Sequence, residues 1–209
     1  MSTATARPRR LIGVVGTHTE VGKTWVTSQL LAALKARGLK VAARKPVQSF
    51  EPDSGPTDAQ QLAQGSGELE TQVCPAHRRY HLAMAPPMAA DALHREPIHI
   101  DELIREITWP AGIDIGFVET VGGARSPLAH DGDSVDLVKC LPVDEVLLIA
   151  DAGLGTLNAV RLTLASIAAL PVTVFLNRYD ASIDLHRRNR EWLLAKDGID
   201  ALIDLNEWR

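Results

Sequence analysis

Five apolar runs of strand length, at residues 11–15, 39–43, 113–118, 146–150 and 172–176, recur along the chain with helical patterns between most of them. Such alternation builds a mainly parallel sheet, doubly wound, with helices on both faces. The run Val146-Leu147-Leu148-Ile149-Ala150 is apolar without interruption, as a strand covered on both faces must be. The expected fold class is therefore α/β. A chain of 209 residues suffices for one substantial core and is short for two, so residues 11–209 read as a single domain behind a flexible tail at 1–10. Ligands of such sheets bind beyond the carboxyl ends of the strands. Polar residues of this chain gather there: a glycine loop after the first run, Arg44-Lys45-Pro46-Val47-Gln48-Ser49 after the second, Glu119-Thr120-Val121-Gly122-Gly123 after the third, residues 151–158 after the fourth and Asn177 after the fifth.

The glycine loop, Gly16-Thr17-His18-Thr19-Glu20-Val21-Gly22-Lys23-Thr24, leads into a helical pattern at 25–37 that carries Trp25, Leu30, Leu31 and Leu34 and stops at Gly38. A loop ending in Gly-Lys-Thr between a strand and a helix is built for nucleotide phosphates. Its backbone amides, at residues such as Val21 and Gly22, can face phosphate oxygens; Lys23 reaches the outer phosphates and the Thr24 hydroxyl can ligate magnesium. The domain is in this sense P-loop NTPase-like. Five residues separate Gly16 from Gly22 where the commonest loop has four, so this is a longer variant. Glu20 is either a peripheral nucleotide contact facing base or ribose, or a plain structural cap.

Lys45 ends an apolar strand with Pro46 fixing the backbone after it, and can point into the same crevice to stabilise anionic charge; the alternative is a lysine snorkelling from a strand end. Asp58 and Glu119 are candidate magnesium partners, since that ion takes hard oxygen ligands. For Asp58 a helix-capping role beside Thr57 is a second reading, and for Glu119 a solvated turn carboxylate. Gly122 and Gly123 allow backbone to approach a ligand closely. The stretch Gly153-Leu154-Gly155-Thr156-Leu157-Asn158 precedes a helix read at 158–170; its amides either capture a carboxylate or form a simple connection with Thr156 as cap. Residues 50–75 read as a long loop with one short helix near 58–63, and further helices are read at 88–93, behind Pro86 and Pro87, and at 100–107.

The formal net charge of -4 gives no concentrated basic face for nucleic acid. Arg187, Arg188 and Arg190 read as a solvated helix face between Asp184 and Glu191. No apolar run approaches the roughly 20 residues that span a bilayer, and no secretory signal follows the basic N-terminus. Cys74 and Cys140 lack metal-ligand spacing and read as reduced thiols of a cytoplasmic protein.

Taken in order, Thr19-Glu20-Val21-Gly22-Lys23-Thr24, Lys45-Pro46-Val47 with Ser49, Asp58, Val118-Glu119 with Gly122-Gly123 and Pro127, residues 155–158 and Asn177 resemble dethiobiotin synthetase, from about residue 11 to 177. The longer loop is a feature of that family. The resemblance implies a magnesium- and ATP-dependent ligase of biotin biosynthesis that closes a cyclic urea from 7,8-diaminononanoate and CO2, through a carbamate and a carbamic-phosphoric anhydride. It implies Lys23 and Lys45 as the groups neutralising carbamate and transferring phosphate, Thr24, Asp58 and Glu119 on magnesium, Thr19 and Ser49 on the diamine, and Asn177 on the base. It also implies a homodimer in which Gly155, Thr156 and Asn158 grip the substrate carboxylate across the interface. Two departures stand out. Thr120-Val121 replaces small residues, placing side chains where backbone needs room, and no proline follows Gly198 to frame the base. Other readings of the chain are a switch or scaffold ATPase of related fold, against which the Thr17-His18-Thr19 stretch offers no extra loop lysine, and a non-catalytic paralogue.

Overall fold

The computed structural model describes residues 7–167 and 170–208. The chain begins with β1 (Arg10–Gly16), α1 (Lys23–Ala36), β2 (Val41–Arg44) and β3 (Gln48–Ser49), followed by α2 (Asp58–Ser66), α3 (Glu70–Val73) and β4 (Arg79–Tyr80). It continues through α4 (Pro86–Ala92), α5 (Ile100–Glu106), β5 (Ile115–Glu119), the short pair β6 (Pro127–Ala129) and β7 (Gly132–Asp133), and α6 (Ser134–Cys140). Last come β8 (Glu145–Asp151), α7 (Thr156–Ser166), β9 (Val172–Asn177) and α8 (Asp184–Asp197).

The five expected strands form one sheet in the order β2-β5-β1-β8-β9, parallel throughout. Strand alternation sends side chains to opposite faces, and both faces are covered. Ile12, Val14, Phe117, Leu147 and Ile149 pack on Leu30, Leu31, Leu34 and Leu62 of α1 and α2. On the other face Val146, Leu148 and Ala150 meet Val160 and Leu193, while Leu11 and Val118 meet Leu103, Leu128 and Leu137. The chain leaves β1 toward β2 on one side and reaches β8 on the other, so the switch point of the winding lies at β1. Register puts Val14 beside Glu119, Gly16 beside Ile149 and Asp151 beside Asn177. The loops that follow β1, β5, β8 and β9 therefore emerge at one edge.

Several expectations are corrected. The 50–75 segment is more helical than a loop, because Thr57 and Gln60 close a capping box that starts α2 and Gly67, at φ 81, ends it. Of the expected tail, residues 1–6 lie outside the described residues, whereas Pro8 is buried and Arg7 donates to Pro142 O at 2.7 Å and Asp144 Oδ2 at 2.8 Å. The helix read at 158–170 starts earlier, at Thr156, and ends at Ser166; its read extension covers residues 168 and 169, outside the described residues. Trp25 does not join the core face of α1: it is 52% exposed, beside the glycine loop. No helix among the described residues is long and apolar enough to cross a membrane.

Candidate active site

Helix α1 has glycine at its N-cap, Gly22 at φ 91, no side-chain cap and no acidic residue in its first turn. Its first N–H groups are thus left for an outside acceptor, and the helix dipole favours an anion there. Two glycines are required by the local packing. A Cβ on Gly22 would collide with Asn177 Nδ2, and one on Gly16 would lie 2.9 Å from the Val21 side chain. Asn177 holds the loop by donating from Nδ2 to Val21 O at 2.8 Å.

Below the loop four side chains converge: Thr24 of α1, Asp58 of α2, Glu119 of β5 and Lys45, which directly follows β2. Lys45 Nζ lies 2.7 Å from Asp58 Oδ2 and 2.9 Å from Glu119 Oε1, and donates to Thr120 O at 2.9 Å. The Thr24 hydroxyl lies 2.8 Å from Asp58 Oδ1 and 2.7 Å from Glu119 Oε1. The side chains of Lys45 and Glu119 are 2% and 0% exposed, that of Asp58 41%. Burial pulls the Lys45 ammonium down, but the Asp58 and Glu119 charges outweigh it and leave the group above its ordinary value. Burial pushes the Asp58 carboxyl up, and Lys45 and the Thr24 hydroxyl bring it below the usual carboxylate range. For Lys23 the Glu119 and Asp58 charges compensate only in part. Burial and the neighbouring Lys45 charge lower it to about 8, with its Nζ donating to Gly122 O at 2.5 Å.

Glu119 Oε2 is buried without a partner. That oxygen, the Asp58 carboxylate and the Thr24 hydroxyl make a set of hard donors suited to magnesium, which completes its shell with waters and phosphate oxygens. The described residues contain no group of three or more His, Cys, Asp or Glu placed to hold a metal unaided. His77 pairs with Glu106 at 3.1 Å, and His81 packs on Phe50.

A cleft of about 870 Å³ opens above this cluster. Of the residues read from the sequence, Thr19, Glu20, Gly22, Lys23, Thr24, Lys45, Ser49, Asp58 and Gly122 line it. Val21 does not; its side chain is buried in the core and only its backbone serves the loop. Glu20 has φ 64 and its carbonyl accepts from Arg178. Asn177 lines a second cavity of about 710 Å³ that shares Gly22, Trp25 and Arg178 with the cleft. Gly155, Thr156 and Asn158 lie outside the cleft formed by this chain. The expected cap role of Thr156 is corrected: Gly155 is the N-cap, at φ 91, and the buried Thr156 hydroxyl donates to Asp151 O at 2.7 Å. The expectation that both Thr120 and Val121 crowd the ligand is corrected for Thr120. Its side chain is fully buried and its hydroxyl donates to Val14 O at 2.9 Å; Val121 does line the cleft.

Sequence reasoning missed Arg178, Gln48 and the Met84-Ala85-Pro86 wall. A positive φ of 56 at Arg178 is invisible in sequence, but its place directly after Asn177 at a strand end was a usable signal.

A glycine loop, an uncapped helix and the Asp58 carboxylate around one cleft, with Glu119 buried at the strand end beneath them, define a P-loop α/β nucleotide-binding protein. Residues 10–191 match the family described as an AAA domain. The chain is 37% identical over 179 residues to the ATP-dependent dethiobiotin synthetase BioD of Caulobacter vibrioides (strain NA1000 / CB15N), covering 80% of this chain and 81% of that protein. It is 35% identical over 198 residues to the synthetase of the same name from Rhodococcus jostii (strain RHA1), covering 92% and 84%. The chain belongs to the ATP-dependent dethiobiotin synthetase family. Among solved structures, a plasmid partition protein from Borrelia burgdorferi superposes with a TM-score of 0.58 over 97% of this chain and 93% of that one, at 14% identity, which is a likeness of fold alone.

Proposed function

We propose that the protein makes dethiobiotin from 7,8-diaminononanoate and CO2, with ATP converted to ADP and phosphate. The observation that carries the reading is Lys45, buried and held between Asp58 and Glu119 at the foot of a phosphate-binding loop. A phosphate loop alone needs no such second lysine, whereas an acid–phosphate anhydride does. One amine of the diamine bonds to the carbon of CO2 and loses a proton, giving a carbamate. A carbamate oxygen then takes the γ-phosphoryl group, and the second amine attacks the carbamate carbon and expels phosphate, closing the urea ring.

These steps ask the protein for positioning and charge stabilisation, not covalent chemistry. The N–H groups of α1 and Lys23 hold the transferring phosphate, and Lys45 neutralises the carbamate oxygens. Thr19 and Ser49 orient the diamine end; Ser49 is already fixed by donating to Met84 O at 2.5 Å. Thr24, Asp58 and Glu119 hold magnesium, which when bound screens phosphate charge. Asn177, with the 710 Å³ cavity beyond it, serves the base. Gly155 and the uncapped start of α7, flanked by Leu154 at 90% exposure, suit a carboxylate presented by a second copy of the chain, which supports a homodimer. The free thiols of Cys74 and Cys140 support a cytoplasmic location.

The test is phosphate release with ATP, magnesium, bicarbonate and the diamine, each omitted in turn. Release should require all four. Phosphate released without the diamine would replace this reading with a nucleotide-dependent switch, and saturable binding of both ligands without turnover would indicate a non-catalytic relative.

A further inference from the structure

We propose that Gln48 reads the substrate, its Nε2 donating a hydrogen bond to a carbamate oxygen held beside Lys45. This rests on the ligase reading above and adds a contact to it. Gln48 is 2% exposed, begins β3 and lines the cleft with Lys45, Ser49 and Asp58. Its Oε1 accepts from Ala59 N–H at 3.0 Å, in the first turn of α2 directly after Asp58. That bond sets the orientation of the amide, since only oxygen can accept there. The other end of the amide, Nε2, is then a buried donor, and it has no partner.

A buried donor left unpaired carries a desolvation penalty that an acceptor from a ligand would remove. Gln48 belongs to the 45–49 segment with Lys45 and Ser49, while phosphate is served by the glycine loop and α1. Its natural acceptor is therefore the group those residues face. A carbamate offers only oxygens at that point, whereas the uncarboxylated ammonium offers only donors and would leave Nε2 unpaired. Gln48 thus favours the carboxylated diamine over the free one, a discrimination that sites built around a hydrogen bond make strongly.

Two variants test this. In Gln48→Glu an oxygen can still accept from Ala59 but the donor is gone; in Gln48→Met both are gone. For both, kcat/KM for the diamine should fall about 10- to 100-fold, the range for a lost hydrogen bond to a charged group. Binding of magnesium–ATP without diamine should stay within about twofold of the native value, which also shows that each variant is folded. If Gln48→Glu fails to fold, Gln48→Met carries the same comparison. A native-like kcat/KM for the diamine in the folded variant would overturn the proposal. A matching loss of ATP affinity in both variants would move the acceptor to a phosphate oxygen and overturn the carbamate assignment. A shifted magnesium half-saturation with an unchanged KM for the diamine would mean that Gln48 acts only by placing Asp58, again against the proposal. Absence of diamine-dependent phosphate release in the native protein would instead refute the ligase reading, and this inference with it.

Discussion

Replacing Lys45 by methionine keeps most of its volume and removes one charge from a place where charge is hard to replace. The Glu119 side chain is fully buried, so losing its ammonium partner leaves a carboxylate with the Thr24 hydroxyl as its remaining hydrogen-bond partner and the Lys23 charge nearby. Truncating one side of a buried ion pair costs about 3–5 kcal/mol. Asp58 moderates the loss because its side chain is 41% exposed and water can reach it, so about 3 kcal/mol is expected. For a domain of this size, about 2–4 °C of melting temperature goes with each kcal/mol, which gives a fall of roughly 6–12 °C. The double variant Lys45→Met, Glu119→Gln should recover part of this, since the stranded charge is gone. Urea denaturation at pH 7 of the native protein, both single variants and the double variant supplies the full cycle. Phosphate release in Lys45→Met should be abolished while magnesium–ATP still binds. The native pair also has a defined pH window. Lys45 is raised above its ordinary value, so its contribution is complete below about pH 10.4 and is lost as pH rises through the folded value. A cost under about 1 kcal/mol for Lys45→Met, with no coupling to Glu119, would refute the argument that this lysine is an enclosed counter-ion.

Lys23 lies at about 8 in the ligand-free protein, below its unfolded value, so it penalises folding below pH 8, and the penalty lifts as pH rises from about 8 to 10.4. Phosphate favours the charged lysine, so calorimetry in buffers of different ionisation enthalpy should show proton uptake on ATP binding at pH 9 and little at pH 6; uptake that persists in Lys23→Ala would exclude this lysine as its source. Gly22→Ala forces a side chain onto φ 91 and against Asn177, and should cost about 1–3 kcal/mol and weaken ATP binding more than tenfold; normal stability and binding would show that the loop is looser than its geometry implies. Thr120→Gly removes a buried hydrogen bond to Val14 O and should lower stability by about 1–3 kcal/mol without raising turnover, whereas a faster enzyme would mean that Thr120 does obstruct the site.

What was legible in sequence is what short stretches of chain encode. The sheet followed from uninterrupted apolar runs, and the phosphate loop from a motif whose neighbours had the right periods. Lys45, Asp58 and Glu119 could each be picked as a strand-end or helix-start polar group, but the meeting of Asp58 and Glu119 at the Thr24 hydroxyl, with Lys45 between the two carboxylates, is a product of register between β2, β5 and β1 and of the docking of α2, which no local pattern carries. Trp25 illustrates the opposite error. It fits a helical period, yet it sits in the first turn, where the face is turned to the cleft and away from the sheet. Helix α6 was missed although Asp133 and Asp136 form its capping box; an acidic pair before a short apolar stretch was a readable start signal. Gln48 was not legible as a ligand contact at all, because the signal is an unpaired amide nitrogen, and pairing is known only once α2 is docked.

The fold itself says little about chemistry, since a partition protein shares it at 14% identity, and the argument for a ligase must come from the site. Charge makes that argument. Without ligand, Lys23 and Lys45 balance Asp58 and Glu119, and the cluster is close to neutral. In the proposed reaction a triphosphate and a carbamate would together bring several negative charges into it. Lys45 cannot leave its carboxylates to follow them without stranding Glu119, so it serves from where it stands, as a fixed positive centre with Asp58 and Glu119 as its supports. Lys23, held only by a carbonyl of Gly122, is the lysine free to turn toward phosphate. A cation on the free Glu119 Oε2 would then meet the remaining charge. The two lysines are thus divided by their partners into one that moves and one that stays, and the site needs the second only if a second anion is to be held beside the phosphate.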